Sequence, residues 1–327
     1  MKPVIAVIGG FLGAGKTTLI LAAASLLQRQ GVRVAVVLND QGDDLVDTHL
    51  VQSQGIPADQ VAGGCFCCRF PDLIDALDRL ADAAPEVVFA EAVGSCTDIV
   101  ATTLRPLLRD YPARFRVAPL TVLVNANQNL VGDDLQFLYT NQVTEADVLI
   151  AWGDTLPSGT RSVNAATGEG VTEWLAEILA GTHPVALRAL TLDYERYAAA
   201  EASLAWLNAR VTAVASTAIS PAMLIGPLLD RLSATVPNIV HLKLFAQCDS
   251  GYLKAALTAS NAEPVVEGTL DASPSAEHEI LLNVRALADP TELRSIIECE
   301  LAKLPAHLTW RHLQSFRPAP PVPYHKA

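Results

Sequence analysis

The first half of the chain carries short apolar runs that do not alternate between inward and outward positions, and several are followed by stretches with helical spacing. PVIAVIGG (3–10), RVAVVLND (33–40), EVVFAEAVG (86–94), LTVLVNAN (120–127) and ADVLIAWGD (146–154) read as strands buried on both faces. KTTLILAAASLLQRQG (16–31), PDLIDALDRLADAAP (71–85) and GVTEWLAEILAG (170–181) read as helices, the first stopped by Gly31. This alternation predicts an α/β fold, a mostly parallel sheet with helices on both faces.

After Pro184 the pattern changes. Residues 203–216, 239–248, 264–271 and 277–287 alternate in part between apolar and polar positions, and helical spacing appears over 220–235 and 290–304. A smaller C-terminal α+β domain with an antiparallel sheet is the expectation. The predicted division is 1–185, 186–316 and a proline-rich tail, RPAPPVPYHKA (317–327), expected to be extended or disordered. No internal repeat is visible.

GFLGAGKT (10–17) fits G-x-x-x-x-G-K-[ST] and lies between a strand and a helix, as a phosphate-binding P-loop requires. The backbone N–H groups of such a loop and the helix N-terminus converge on one anion. Gly10, Gly13, Ala14, Gly15, Lys16, Thr17 and Thr18 are therefore the expected phosphate-binding set. Lys16 is expected to reach the β and γ phosphates, with the Thr17 hydroxyl on Mg²⁺. Phosphoryl transfer also needs a carboxylate near that ion and a group that senses the γ-phosphate. AEAVG supplies Glu91 for the first role and the Gly94 amide for the second. LNDQGDD places Asp40, Asp43 and Asp44 after the second strand, at the carboxyl edge where open α/β sheets bind ligands. Asp40 is the candidate for positioning the attacking water; a plain turn residue is the alternative.

Composition narrows the partners. The formal net charge is −12, and 12 acidic residues between Asp40 and Asp98 face only Arg69 and Arg79. A nucleic-acid backbone is an unsuitable partner there and a cation a suitable one. No run of about 18 or more uncharged apolar residues occurs, so no membrane span is expected. The N-terminus lacks a cleavable signal pattern, so the expected location is the cytoplasm, where structural disulfides are disfavoured.

That matters for GGCFCCRF (63–70), which crowds Cys65, Cys67 and Cys68 onto one loop of a chain with six cysteines. Three soft sulfur ligands favour Zn²⁺ or another thiophilic transition metal over Mg²⁺. A thiol sensor, with Arg69 lowering a neighbouring pKa, is the redox alternative. Adjacent Cys67 and Cys68 are expected to have difficulty in binding one ion together. Cys96, Cys248 and Cys299 are scattered and read as buried hydrophobes.

Together these motifs resemble the CobW-like (cobalamin synthesis protein) family of P-loop GTPases, relatives of the hydrogenase and urease nickel-insertion GTPases. The resemblance rests on GFLGAGKTT, on GCFCC as C-x-C-C, on AEAVG as E-x-x-G, and on NAATGEGV (164–171) as the base-contacting loop. It covers about residues 1–185, and the second half is similar to that family's variable C-terminal domain. The resemblance implies GTP hydrolysis coupled to delivery of a transition metal to a client metalloprotein, with a nucleotide-dependent homodimer as a further implication. It places guanine near Trp152, Asp154, Asn164 and Ala165. It also brings the segment after the second strand to the cysteine loop, so that Asp43, with Asp47 and His49 as alternatives, is the candidate fourth ligand.

One departure bears on specificity. AWGD (151–154) stands where the family has N-K-x-D, so Asp154 remains for guanine while Trp152 replaces the lysine stem. ATP stays open as an alternative nucleotide, and Asn125 stands where an aspartate is usual. The competing functions are a non-catalytic nucleotide-gated regulator and, with no recognisable acceptor site, a small-molecule kinase.

Overall fold

The computed structural model describes residues 2–42, 46–260 and 262–325. The described residues of 1–41, 47–200 and 320–327 form one compact unit, and those of 42–46 and 201–319 a second. In the first part of the chain the elements are β1 (Val4–Gly9), α1 (Lys16–Arg29), β2 (Val34–Asn39), α2 (Val46–Ser53), β3 (Ala58–Val61), α3 (Phe70–Arg79), β4 (Val87–Glu91), α4 (Arg105–Asp110), β5 (Arg116–Val117), β6 (Thr121–Asn125), α5 (Asp133–Glu145), β7 (Val148–Trp152), β8 (Arg161–Ser162) and α6 (Val171–Leu179). The sheet order is β3-β2-β4-β1-β6-β7-β8, with β5 also on β1, and every pairing is parallel. β1, β2, β4 and β6 are buried along their whole length, which is why their sequences run apolar without alternation.

This topology sets the site, because β1, β2, β4, β6 and β7 all deliver their C-terminal ends to one edge of the sheet. Gly10, Asp40, Glu91, Asn125 and Trp152 lie at or just beyond those ends.

The second unit follows α7 (Tyr194–Ala202). Its elements are β9 (Ala205–Ile219), α8 (Pro221–Thr235), β10 (Ile239–Cys248), β11 (Gly251–Leu257), β12 (Val265–Gly268), β13 (Ser275–Ala286), α9 (Pro290–Leu301) and β14 (His307–Phe316). The strands form an antiparallel sheet in the order β12-β11-β10-β13-β9-β14. Leu224, Leu228 and Leu232 of α8 and Leu293, Ile297 and Leu301 of α9 join the apolar positions of the sheet in one core. Both helices are started by side-chain caps, Ser220 accepting from Met223 N–H and Asp289 from Thr291 and Glu292 N–H.

Several elements depart from the sequence expectation. α5 has no clear apolar stripe, because its buried positions are Leu135, Leu138, Gln142 and Glu145, the last two polar. β14 is a mostly exposed or half-buried edge strand paired only with β9, so its polar face hides it. Residues 317–323 carry no helix or strand, as in an extended tail, and its end is docked. Tyr324 N–H donates to the Cys67 carbonyl at 2.8 Å, and Phe70 meets the Tyr324 ring at 6.4 Å and the His325 ring edge-on at 4.7 Å.

Candidate nucleotide and metal site

The P-loop bends through positive φ at Gly10, Gly13 and Gly15. A Cβ on Gly10 would stand 2.4 Å from the Leu123 carbonyl oxygen, so no other residue fits between the loop and β6. Gly15 then hands the chain to α1, whose first residues Lys16 and Thr17 are buried. The Lys16 ammonium folds over the loop and donates to the carbonyls of Gly10 at 2.8 Å and Phe11 at 3.3 Å. Thr17 Oγ1 donates to Glu91 Oε1 at 3.1 Å, bringing together two of the groups expected to share Mg²⁺. An alcohol and a carboxylate, both hard oxygen donors beside a phosphate loop, fit that ion.

Gly94 sits against the same loop. A Cβ there would lie 2.7 Å from Leu12 Cδ2 and 3.0 Å from Leu12 Cα. On its other side, buried Gln142 of α5 donates from one amide nitrogen to the carbonyls of Gly94 and Cys96, each at 2.9 Å, while Cys96 N–H closes a turn onto Val93 at 2.9 Å. Gly94 and Cys96 are thus clamped as one turn. Beyond it the backbone is unusual: Asp98 has φ +65°, and a π-helical turn covers Val100–Leu104. Tyr194 donates to the Asp98 carboxylate. Burial pushes the Asp98 carboxyl up, an effect opposed by that hydrogen bond and by the nearby Arg105. Glu145 accepts from Thr97 Oγ1 and Val100 N–H, each at 3.2 Å, and complete burial pushes its carboxyl up to about 8.

The base-side residues are held by local bonds. Trp152 Nε1 donates to the Ala14 carbonyl at 2.7 Å, so the indole braces the P-loop. Asp154 is exposed, and its N–H is held by Asn127 Oδ1 at 2.9 Å. Asn164 Oδ1 accepts from Ala166 N–H at 3.0 Å and from Thr167 N–H at 3.2 Å, fixing the loop that carries Ala165. Asn125 Oδ1 accepts from Asn127 N–H at 3.0 Å, a turn-fixing role.

The cysteine loop hangs from the end of β2. Asn39, buried, donates to the carbonyls of Val61 at 2.9 Å and Gly64 at 2.7 Å and accepts from Phe66 N–H at 2.9 Å. Asp40 adds backbone bonds to Val61 and Gly64, so its chain position is shared with that loop. Nothing in the sequence pattern singled out Asn39; its place as the polar end of an apolar strand is the one available signal.

Cys65 and Cys67 are joined as a disulfide, with Cα atoms 5.4 Å apart. The compartment argument disfavoured such a bond, but C-x-C spacing on this turn puts the two within disulfide range. Cys68 Sγ lies 3.6 Å from both Cys65 and Cys67 Sγ, so adjacent Cys67 and Cys68 do converge, contrary to expectation. The turn is responsible: Cys68 and Arg69 N–H both bond the Cys65 carbonyl. Among the described residues these three form the one group of His, Cys, Asp and Glu whose ligand atoms all lie within 4.8 Å of one another. Asp43 lies outside the described residues. Asp47 and His49 lie half-buried on α2 and are not in that group. Arg69, expected beside the thiols as a pKa-lowering cation, is ion-paired with Asp72.

Cys96 differs from the sequence reading. It is buried, as expected, but its Sγ is 4.0 Å from Cys67 Sγ. Cys248 and Cys299 lie in the second unit, where Cys248 is half-buried and Cys299 exposed, so neither is the buried hydrophobe expected.

Comparison with known proteins agrees with the local geometry. Residues 4–162 match the family described as CobW/HypB/UreG, nucleotide-binding domain. The zinc chaperone YjiA of Escherichia coli (strain K12) is 36% identical over 101 residues, covering 30% of this chain and 31% of that protein. The zinc chaperone CobW of a Sinorhizobium species is 40% identical over 73 residues, 20% of each chain. The matches thus span about a third or less of these curated relatives. Solved structures that resemble the chain include Zn(II)-bound YjiA GTPase from E. coli (15% identity, TM-score 0.34, covering 91% of this chain and 99% of that one) and nickel-bound HypB from Helicobacter pylori (18%, 0.40, 58% and 90%). Among the described residues no helix is long and apolar enough to cross a membrane. The P-loop and the Thr17–Glu91 pair fall on the same strands as the family match, so residues 4–162 are similar to the CobW/HypB/UreG nucleotide-binding domains.

Proposed function

We propose that this protein is a GTP-hydrolysing metallochaperone that carries a thiophilic transition metal, with Zn²⁺ the leading cargo, on its C-x-C-C loop and passes it to a client metalloprotein under nucleotide control. The observation that carries the reading is Asn39. One side chain at the end of β2 ties the cysteine loop to the sheet edge that also bears the Thr17–Glu91 pair. The zinc-chaperone relatives support the choice of metal.

In this reading Lys16 leaves the Gly10 and Phe11 carbonyls for the β and γ phosphates, and the amides of Gly13, Ala14, Gly15 and Thr18 contribute to the phosphate cradle. Thr17 and Glu91 would hold Mg²⁺, which when bound would supply positive charge against the phosphates. Gly94 N–H takes the γ-phosphate, Asp40 positions the attacking water, and Trp152, Asp154, Asn164 and Ala165 hold the base. Hydrolysis releases Gly94 and the loop after β2, altering how tightly the thiolates grip the metal.

The test is phosphate release by the reduced protein with Mg²⁺, comparing GTP with ATP, each with and without one equivalent of Zn²⁺. GTP hydrolysis that changes with zinc is the expected result. Turnover of neither nucleotide, with binding intact, leaves a nucleotide-gated metal carrier and removes the hydrolase. The Cys65–Cys67 disulfide favours one second reading, a thiol switch, in which zinc has no effect and oxidation alone alters nucleotide turnover.

A further inference from the structure

We infer that Cys96 is the fourth thiolate of the metal site, so that the cargo is held by Cys65, Cys67, Cys68 and Cys96 and is wired directly to the loop that senses the γ-phosphate. The inference deepens the metallochaperone reading and rests on it.

Tetrahedral zinc with Zn–S bonds of about 2.3 Å places its sulfurs ~3.8 Å apart, from the geometry of the tetrahedron. The Cys65–Cys68 and Cys67–Cys68 separations are both 3.6 Å, and Cys67–Cys96 is 4.0 Å. Three of the edges a four-sulfur site needs are therefore already close to their final length. Once a thiol or phosphine reductant, itself oxidised, has cleaved the Cys65–Cys67 bond, the two sulfurs can part, with Cys96 4.0 Å from Cys67. Cys96 is not one of the three residues whose ligand atoms all lie within 4.8 Å of one another, so its remaining edges must close as the metal enters. Cys65, Cys67 and Cys96 are each about 1% exposed, so a metal among them is shielded from water. With Cys68 half-buried at its rim, such a four-sulfur set suits a closed tetrahedral zinc site.

The wiring follows from Gln142. Its amide holds the carbonyls of Gly94 and Cys96 together, and Gly94 abuts Leu12 of the P-loop. A displacement of Gly94 is a displacement of Cys96. Gain or loss of the γ-phosphate contact would then alter one of the four metal bonds, not merely the outer loop.

The experiment uses the full chain reduced with a phosphine, loaded with Zn²⁺ or Co²⁺, as wild type and as Cys96→Ser. X-ray absorption at the zinc edge is expected to count four sulfurs in the wild type and three in Cys96→Ser. The sulfur-to-cobalt charge-transfer band should fall by about a quarter and zinc affinity by about 100-fold, the upper end of the usual loss for a supporting residue. A non-hydrolysable GTP analogue should shift zinc affinity in the wild type and leave Cys96→Ser unmoved. Should the variant fail to fold, the wild-type sulfur count decides alone. Three sulfurs plus an imidazole in the wild type would overturn the inference and move the fourth ligand to a histidine such as His325, whose buried Nε2 has no hydrogen-bond partner. Three sulfurs plus oxygen would also overturn it. A wild type that binds neither metal would overturn both the inference and the chaperone reading. Zinc on four sulfurs with hydrolysis indifferent to it would sustain the inference and sink that reading.

Discussion

The side chain of Asn39 and the carbonyl of Gly64 meet at 2.7 Å, one of three hydrogen bonds through which a single buried amide sets the cysteine loop on the sheet. Asn39→Ala leaves two carbonyls and one N–H buried without that partner. Since each such loss costs about 1–3 kcal/mol, the variant should unfold at lower urea and bind zinc more weakly. Asn39→Asp should not rescue it, because an ionised carboxylate has no N–H to give to Val61 and Gly64. Urea melts and zinc competition assays read both effects, and an Asn39→Ala protein with wild-type zinc affinity would show that the loop holds itself.

Glu145 gives the pH dependence. Its carboxyl titrates near 4.5 when exposed and about 8 in the fold, because complete burial penalises the charge. The folded state therefore keeps a proton that the unfolded chain gives up, and the stability this contributes is full below about 4.5 and declines as pH rises towards 8. The slope is at most about 1.4 kcal/mol per pH unit. Urea midpoints taken between pH 5 and pH 8 should fall with pH in the wild type and fall less in Glu145→Gln. Parallel profiles would show that another group carries the effect.

Oxidation and metal loading should exclude each other, since a disulfide between Cys65 and Cys67 removes two thiolates from the cluster. Thiol titration of the oxidised protein in denaturant should find two fewer than the six cysteines of the sequence. Its zinc affinity should be at least about tenfold below that of the reduced protein, by analogy with loss of a supporting ligand contact, and a phosphine should restore it. Equal affinity in both states would mean that the metal is held elsewhere.

Gly94→Ala tests the contact with the P-loop. The new methyl would meet Leu12 at 2.7 Å on a side-chain carbon and at 3.0 Å on the backbone Cα, and the backbone cannot yield as a flexible side chain can. A stability loss of about 1–3 kcal/mol is expected, with weaker binding of nucleoside triphosphate than of diphosphate relative to wild type. Fluorescent-nucleotide titration measures the ratio; an unchanged ratio would remove Gly94 from γ-phosphate sensing.

Trp152→Phe keeps an aromatic ring and deletes the N–H that bonds Ala14 at 2.7 Å. A nucleotide affinity loss of about 0.5–1.5 kcal/mol is expected for one neutral hydrogen bond. If Trp152→Phe is silent and Trp152→Leu is not, the ring face rather than the P-loop brace is what matters.

How much of this was legible beforehand depended on where the information lies. The phosphate loop was legible because Gly10, Gly13, Gly15, Lys16 and Thr17 are contiguous, and Glu91 because it ends an apolar strand. The parallel sheet and the antiparallel sheet followed from the difference between unbroken and alternating apolar runs. Cys96 was not legible as a neighbour of Cys67, since 29 residues and a whole helix and strand separate them and only the strand order brings their loops together. α5 was missed for a related reason: Gln142 and Glu145 are buried where a helix normally shows apolar residues, because they serve the loop after β4.

The bond from Tyr324 N–H to the Cys67 carbonyl joins residues 257 positions apart in the chain. During synthesis at about 5–20 residues per second, the ribosome needs on the order of 10–50 s to pass from one to the other. Throughout that interval the nascent cysteine loop exists without the segment that later docks beside it. The order of translation therefore leaves the cysteine loop without its bond to Tyr324 until that residue has been made.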